Sequence, residues 1–292
     1  MSRVPVVSRN EMFNEVVRSM SARRGMGAPL RDSFFRCEVN GQVHYPLAGL
    51  MSSRAASGGG RGGRTRVALY LSLLWVAGGG EHESVRPASF WAALLGLADP
   101  DGAGSRAIRS TWRELAIRGF VELTPGEHDG AVPMVRPLRE DGSRAPYSIP
   151  TGQAGDTYRR IPENAWRVLF PSPDLSGAGL VMYLVALRTA ARAQTTVGLV
   201  FPSGHFRAAY GMGESTRRKG LHNLDELLVL EADRGASVDD LGGVSHRRRP
   251  RTTYDLAGHY AYNGPSQAPT EVGDATAIAP ALQEDDDDVN PF

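Results

Sequence analysis

A mainly α chain with small β-hairpins, an α+β class built as two similar units, is what the sequence predicts. Three observations lead there: a weak internal repeat, helix boundaries marked by Pro/Ser at the start and Gly at the end, and a switch from helical to alternating periodicity at the same place in each copy. With 292 residues, 41% apolar and 22% charged, the chain is long enough for two domains of common size.

The first copy opens with the apolar segment Leu69–Ala77 and the second with Met182–Ala190, with Tyr70 and Tyr183, Leu71 and Leu184, and Leu74 and Leu187 at matching places. Short helices follow over Phe90–Leu97 and His205–Met212, each started near a proline (Pro87, Pro202) and stopped at a glycine (Gly96, Gly211). Third helices are expected over Gly104–Ile117 and Gly213–Glu226. Alternation then replaces the helical period in Phe120–Leu123 and Leu228–Glu231, and a polar loop leads to the second strand-like runs Met134–Leu138 and Arg251–Leu256.

The segments outside the repeat are read from composition. Residues 1–66 hold eleven Arg against four acids, and residues 265–292 hold seven acids and no base, so the formal net charge of +1 conceals oppositely charged ends. Met12–Met20 has the spacing of a short amphipathic helix, Phe34–Pro46 has weak strand character, and Ser52–Thr65 reads as a flexible Gly/Ser/Arg linker. Folded structure is therefore expected from about Arg66. The expected organisation is a basic arm and linker over 1–65, one unit over 66–140, a linker over 141–176, a second unit over 177–258, and a disordered acidic tail over 259–292.

Three helices followed by a hairpin is the order of a winged helix, and the third helices carry its logic. Ile108, Trp112 and Leu115 make one stripe of the first, and Arg106, Arg109 and Arg113 make another. Such a helix can stay anchored in its own domain while pressing Arg side chains into a major groove. In the second copy Leu221, Leu224 and Leu228 make the apolar stripe, and Thr216, Arg218, Lys219 and His222 point mostly outward, with Arg217 nearer the stripe. The run His246–Arg251 sits in the second hairpin loop, where a wing would follow the sugar-phosphate backbone.

Gly104-Ser-Arg-x-Ile-Arg with Trp112-Arg-Glu-Leu115 and Gly119-Phe-Val-Glu-Leu123 resembles the recognition helix, turn and first wing strand of winged helix-turn-helix proteins. Gly213-Glu-Ser-Thr-Arg-Arg-Lys with Leu224–Glu231 resembles the same element. Tandem winged helices in one chain resemble plasmid replication initiators that bind origin repeats, and regulators from actinobacteria and their phages and plasmids. The resemblance spans Arg66–Leu256 and implies double-stranded DNA as partner. The contacts it implies are Ser105, Arg106, Arg109, Ser110 and Arg113 in the first copy. In the second they are Ser215, Thr216, Arg217, Arg218, Lys219 and His222, with Arg247, Arg248, Arg249 and Arg251 in the wing. The chain departs from the pattern at Leu228, where the family often has Gly, in the long loop before Arg247, and in the acidic tip of the first wing, Gly126–Gly130.

Other chemistry finds little support. Gly58–Gly63 lacks the Gly-Lys-Ser/Thr of a phosphate loop, and Arg54, Arg61, Arg64 and Arg66 around it could follow phosphates or merely keep a linker solvated. Glu81-His-Glu83 lacks the second His of a metalloprotease helix, and the seven His are scattered. The single Cys37 excludes an internal disulfide and a multi-cysteine zinc site, and points to a reducing compartment such as the cytoplasm. Tyr70, Tyr183 and Tyr210 sit on apolar faces and are read as core. No run is long and apolar enough to span a bilayer. The expectation is a non-enzymatic chain without metal or cofactor that occupies a specific duplex site as a transcriptional regulator, with homodimerisation left open. The alternatives are a replication initiator and a non-catalytic adaptor that uses the same units for protein contacts.

The tail yields a first testable outcome. A tethered polyanion such as Glu284–Asp288 competes with DNA for Arg-rich faces at high effective concentration. Deleting residues 265–292 is expected to raise affinity for non-specific duplex, most at low salt, where charges are least screened. Equal affinities at low salt would leave the segment a solubilising tail.

Overall fold

Val67–Trp75 is apolar all round apart from Ser72, a pattern that only a fully enclosed helix tolerates. In the computed structural model every one of these residues is buried. The structure describes residues 27–52, 61–77, 82–126, 128, 131–202, 206–233 and 252–261. Strand β1 (Gly27–Arg31) leads through a turn, Asp32–Phe34, to a hairpin of β2 (Cys37–Val39) and β3 (Gln42–His44) and then to α1 (Pro46–Met51). The first repeat follows as α2 (Arg61–Val76), α3 (Ala88–Leu94), α4 (Ser105–Ile117), β4 (Val121–Thr124) and β5 (Met134–Pro137). Strand β6 (Tyr158–Pro162) and a π-helical turn, Ala165–Leu169, lie between the repeats. The second repeat is α5 (Gly177–Ala193), α6 (Phe206–Tyr210), α7 (Glu214–Glu226), β7 (Leu230–Asp233) and β8 (Thr253–Leu256). Among the described residues the class is thus α+β, seven α-helices with small antiparallel strand pairs.

The same order of elements recurs, and so does one feature that the sequence pattern did not reveal. A single residue between the first two helices of each repeat pairs with the last strand: Ser84 exchanges backbone hydrogen bonds with Val135 (2.9 and 3.0 Å), and Leu199 with Tyr254 (2.8 and 3.0 Å). One-residue bridges carry no alternating pattern, so periodicity cannot find them.

The fold begins well before Arg66. β1 pairs antiparallel with β6, Gly27 opposite Pro162 and Arg31 opposite Tyr158, so the expected arm and the expected 141–176 linker are partners in one sheet. Neither strand alternates cleanly because both are largely covered. The linker reading also fails at its end: Arg61–Thr65 is the first turn of α2. Arg64 donates to the carbonyls of Phe170 (3.0 Å) and Ser172 (2.5 Å), and Gly63 lies against Met51, so tertiary contacts overrule flexible composition. Residues 1–26 and 262–292, and with them Met12–Met20 and the acidic tail, lie outside the described residues.

The two repeats share one apolar core that runs from Ala28 to Ala261. Trp75 of α2 stacks on Trp166 at 4.6 Å between centroids, and edge contacts continue through Phe170 to Tyr183 of α5 and on to Tyr260. Tyr70 and Tyr183 are enclosed and hydrogen-bonded to the carbonyls of Leu138 (2.8 Å) and Tyr260 (3.1 Å), and burial pushes both phenols well above their ordinary range. Within the second repeat α5 and α7 approach closely at Gly220, where a Cβ would come within 2.6 Å of the Ala178 carbonyl oxygen.

The expected apolar stripe of α7 needs correction at Leu228. The helix ends at Glu226, Leu228 takes a left-handed φ of 55° with 79% of its surface exposed, and Val229 fills the core position instead. Gly119 holds the matching place after α4 with φ 78°. The hydrogen bonds agree as well: Gly119 N to Ala116 O and Phe120 N to Leu115 O in one turn, Leu228 N to Asp225 O and Val229 N to Leu224 O in the other. A left-handed conformation costs an L-residue about 1–2 kcal/mol, partly offset by the extra freedom Gly gives the unfolded chain. Leu228→Gly is therefore expected to stabilise the protein by up to about 1 kcal/mol. A urea midpoint that falls instead would show that the Leu228 side chain contributes packing.

Candidate nucleic-acid interface

Helix α4 is positioned from both ends. Asp99, itself at a left-handed φ of 48°, accepts from the backbone N–H groups of Gly102 (3.2 Å) and Ala103 (2.7 Å) and so shapes the tight Pro100–Gly104 turn that starts the helix. Ile108, Trp112 and Leu115 are buried, and Trp112 meets Trp91 of α3 edge-on at 5.4 Å between centroids. That stripe fixes the rotation of the helix and leaves Arg106, Arg109, Ser110 and Arg113 exposed. Glu114 is the only carboxylate on α4, and it is taken up elsewhere, bonded through Oε1 to Arg66 and to Arg118 at 2.8 Å each. Among the described residues, Arg106, Arg109 and Arg113 consequently have no ion-pair partner.

Ser105 does not belong to this surface. It is buried, and its hydroxyl donates to the Pro100 carbonyl at 2.7 Å, so it ties the helix to the preceding turn. Arg64 and Arg66 are also structural: Arg66 is buried and donates to the Leu50 and Ser52 carbonyls as well as to Glu114.

Helix α7 is less open than its sequence suggests. Ser215, Thr216, Arg218, Lys219 and His222 are exposed, but Glu214 in the first turn holds both neighbouring guanidiniums. It accepts from Arg217 Nη2 (2.6 Å) and Nε (2.9 Å) and from Arg218 Nε (2.8 Å). Arg217 is further drawn inward by a bond to the Phe201 carbonyl (2.8 Å) and by the ring of Phe206, which leaves it a poor contact to a ligand. His222 lies 3.3 Å from Glu226. Among the described residues, Lys219 is thus the cation of α7 left without an ion-pair partner. The missed residue, Glu214, was legible in the sequence, because a carboxylate followed by Arg at i+3 and i+4 is the spacing that pairs on a helix.

The hydrogen bond from Arg217 above all, and then that from Arg218, holds the Glu214 carboxyl down to about 2. A depressed acid contributes its stabilisation above its ordinary range and loses it as pH falls toward the depressed value. Glu214 therefore stays ionised across the pH range of a binding assay, so pH does not release the two guanidiniums. Glu214→Gln is expected to raise duplex affinity and steepen its salt dependence through the freed Arg218. Unchanged affinity in a gel-shift titration would place α7 away from the duplex.

Arg247, Arg248, Arg249 and Arg251 lie outside the described residues, as does His205. Among the described residues no cluster of three or more His, Cys, Asp or Glu is placed to hold a metal, and no helix is long and apolar enough to cross a membrane. Cys37 is half-buried on β2, with its thiol 3.4 Å from the Asp141 carbonyl oxygen, and burial raises its pKa. Comparison with family models, curated proteins and solved structures returns no match.

Proposed function

We propose that this chain binds double-stranded DNA sequence-specifically through two winged-helix units and acts as a transcriptional regulator. The observation that carries the reading is α4, anchored by Trp112 while Arg106, Arg109 and Arg113 stand exposed on another stripe, without an ion-pair partner among the described residues. Unpaired guanidiniums at helical spacing match what a major groove offers, since Arg reads guanine O6 and N7 bidentately. The recurrence of helix–bridge–helix–helix–hairpin supports two units of one type, with α7 as the second, weaker reader. The shared core favours a fixed spacing between them, hence one extended site rather than two independent ones.

Selection of bound duplexes from a random pool tests the proposal, and a GC-containing site should be enriched. One palindrome at a promoter supports the regulator. Repeated direct sites would support a replication initiator instead, and a pool without enrichment would leave only the protein-interaction adaptor.

A further inference from the structure

A second concentration of positive charge lies away from α4, where the Asp32–Phe34 turn, β6 and the C-terminal half of α5 meet. Arg188 and Arg192 stand one helical turn apart on α5, an i,i+4 spacing at which like charges repel. Arg159 of β6 joins them, and Asp32 is the acid nearby. Asp32 is engaged through one oxygen only: its Oδ2 accepts from Arg159 Nη2 and from the Thr157 hydroxyl, both at 3.0 Å. Arg188 lies over the Phe35 ring, 5.0 Å from its centroid, and donates to the Tyr210 hydroxyl at 3.2 Å. Although Arg192 reaches solvent, burial first and the Arg188 charge second push its guanidinium below the ordinary value; Arg159 adds to this and Asp32 opposes it. Polar atoms are also stranded in this junction. Asp32 Oδ1, Ser33 Oγ, Arg159 Nε and Arg188 Nε are buried without a hydrogen-bond partner among the described residues.

A helix C-terminus favours a cation, which accounts for Arg192 alone. It does not account for three guanidiniums near one carboxylate to which Arg159 alone is paired. We propose that Arg159, Arg188 and Arg192 form a binding site for a phosphate group. Arg forks from β6 and α5 at one junction, two of them with Nε atoms that lack an acceptor among the described residues, suit a tetrahedral anion with several acceptor oxygens. Two sources present that chemistry, a phosphodiester of a bound duplex and a free phosphate. Tyr210, which Arg188 touches, ends α6 just ahead of Glu214, so the site adjoins the start of α7. The phosphodiester source rests on the duplex-binding reading; the site itself does not.

The test uses the full chain, Arg192→Gln, and Arg188→Gln/Arg192→Gln. In one arm, thermal unfolding is followed with inorganic phosphate against sodium chloride of equal ionic strength. A free-phosphate site stabilises the parent with rising phosphate concentration, and removing the forks weakens that response about tenfold. In the other arm, duplex affinity is measured against salt. A phosphodiester contact makes the slope of log K against log salt shallower by about 1 in the variants. Arg106→Ala/Arg109→Ala runs beside them. If it loses binding while the junction variants keep both the parent's salt slope and its phosphate response, the duplex-binding reading survives and this site falls, its stranded atoms held by water alone. If the parent binds no duplex, the duplex-binding reading falls and the phosphate arm alone judges the site. Should the double variant fail to fold, Arg192→Gln, changed at a side chain that reaches solvent, decides between the same outcomes.

Discussion

Replacing Arg106 and Arg109 together by Ala is expected to weaken binding to the selected duplex by about 1–3 kcal/mol for each base that Arg no longer reads, and to relax preference at those positions. Both side chains are exposed and have no ion-pair partner among the described residues, so the unfolding midpoint should not move. Arg248→Ala/Arg249→Ala in the expected wing should behave differently, weakening all duplexes alike and lowering the salt slope by about 1 per phosphate neutralised. A double α4 variant that retained the parent's selectivity would remove α4 from the interface. Substituting Trp112 would not make that test, because its loss would unfold the helix together with the surface it presents.

The largest expected effect on stability lies at Arg31, which β1 carries into the core. Its guanidinium donates to Glu140 Oε2 (2.7 Å), Asp156 Oδ1 (2.5 Å) and the Ser148 carbonyl (2.7 Å), while its backbone N–H reaches Glu140 Oε1 (3.3 Å). Arg31 and Glu140 are almost wholly enclosed, at 1% and 0% exposure. Arg31→Ala strands a buried carboxylate and is expected to cost about 3–5 kcal/mol, read as a lower denaturant midpoint at neutral pH. Burial already pushes the Glu140 carboxyl up against the pull of Arg31, whereas at Asp156 burial also pushes up but the hydrogen bonds from Arg31 and Thr151, with the Arg31 charge, together outweigh it and hold the acid down. Without Arg31 the Glu140 carboxyl rises further. An acid raised on folding keeps its stability below its unfolded pKa and loses it as pH climbs through the folded one. The deficit of Arg31→Ala should therefore grow from pH 5 to pH 8. A pH-independent deficit would show that packing of the Arg31 side chain, rather than the ion pair, supplies the stability.

What could be read without coordinates was what repeats at short range. The buried stripe Ile108–Trp112–Leu115, the exposed Arg106, Arg109 and Arg113, the core Tyr70 and Tyr183, and the strands near Val121 and Met134 all follow from periods of 3.6 and 2. The Glu214 clamp is legible too, as a carboxylate three and four residues ahead of Arg217 and Arg218.

By itself, then, the sequence determined the class, the repeated order of helices and hairpins, and which face of α4 is apolar, because those depend on neighbours within one or two turns. Tertiary structure decided the rest. It turned an Arg-rich arm into β1, whose partner β6 lies on the far side of the first repeat, and buried Arg31 where composition promised a solvated charge. It joined the two repeats in one core through Trp75 and Trp166, hid Ser105, exposed Leu228, and paired Arg159 with Asp32, 127 residues earlier in the chain. Each of these is an arrangement of residues far apart in the chain, and no local period encodes the distance between them.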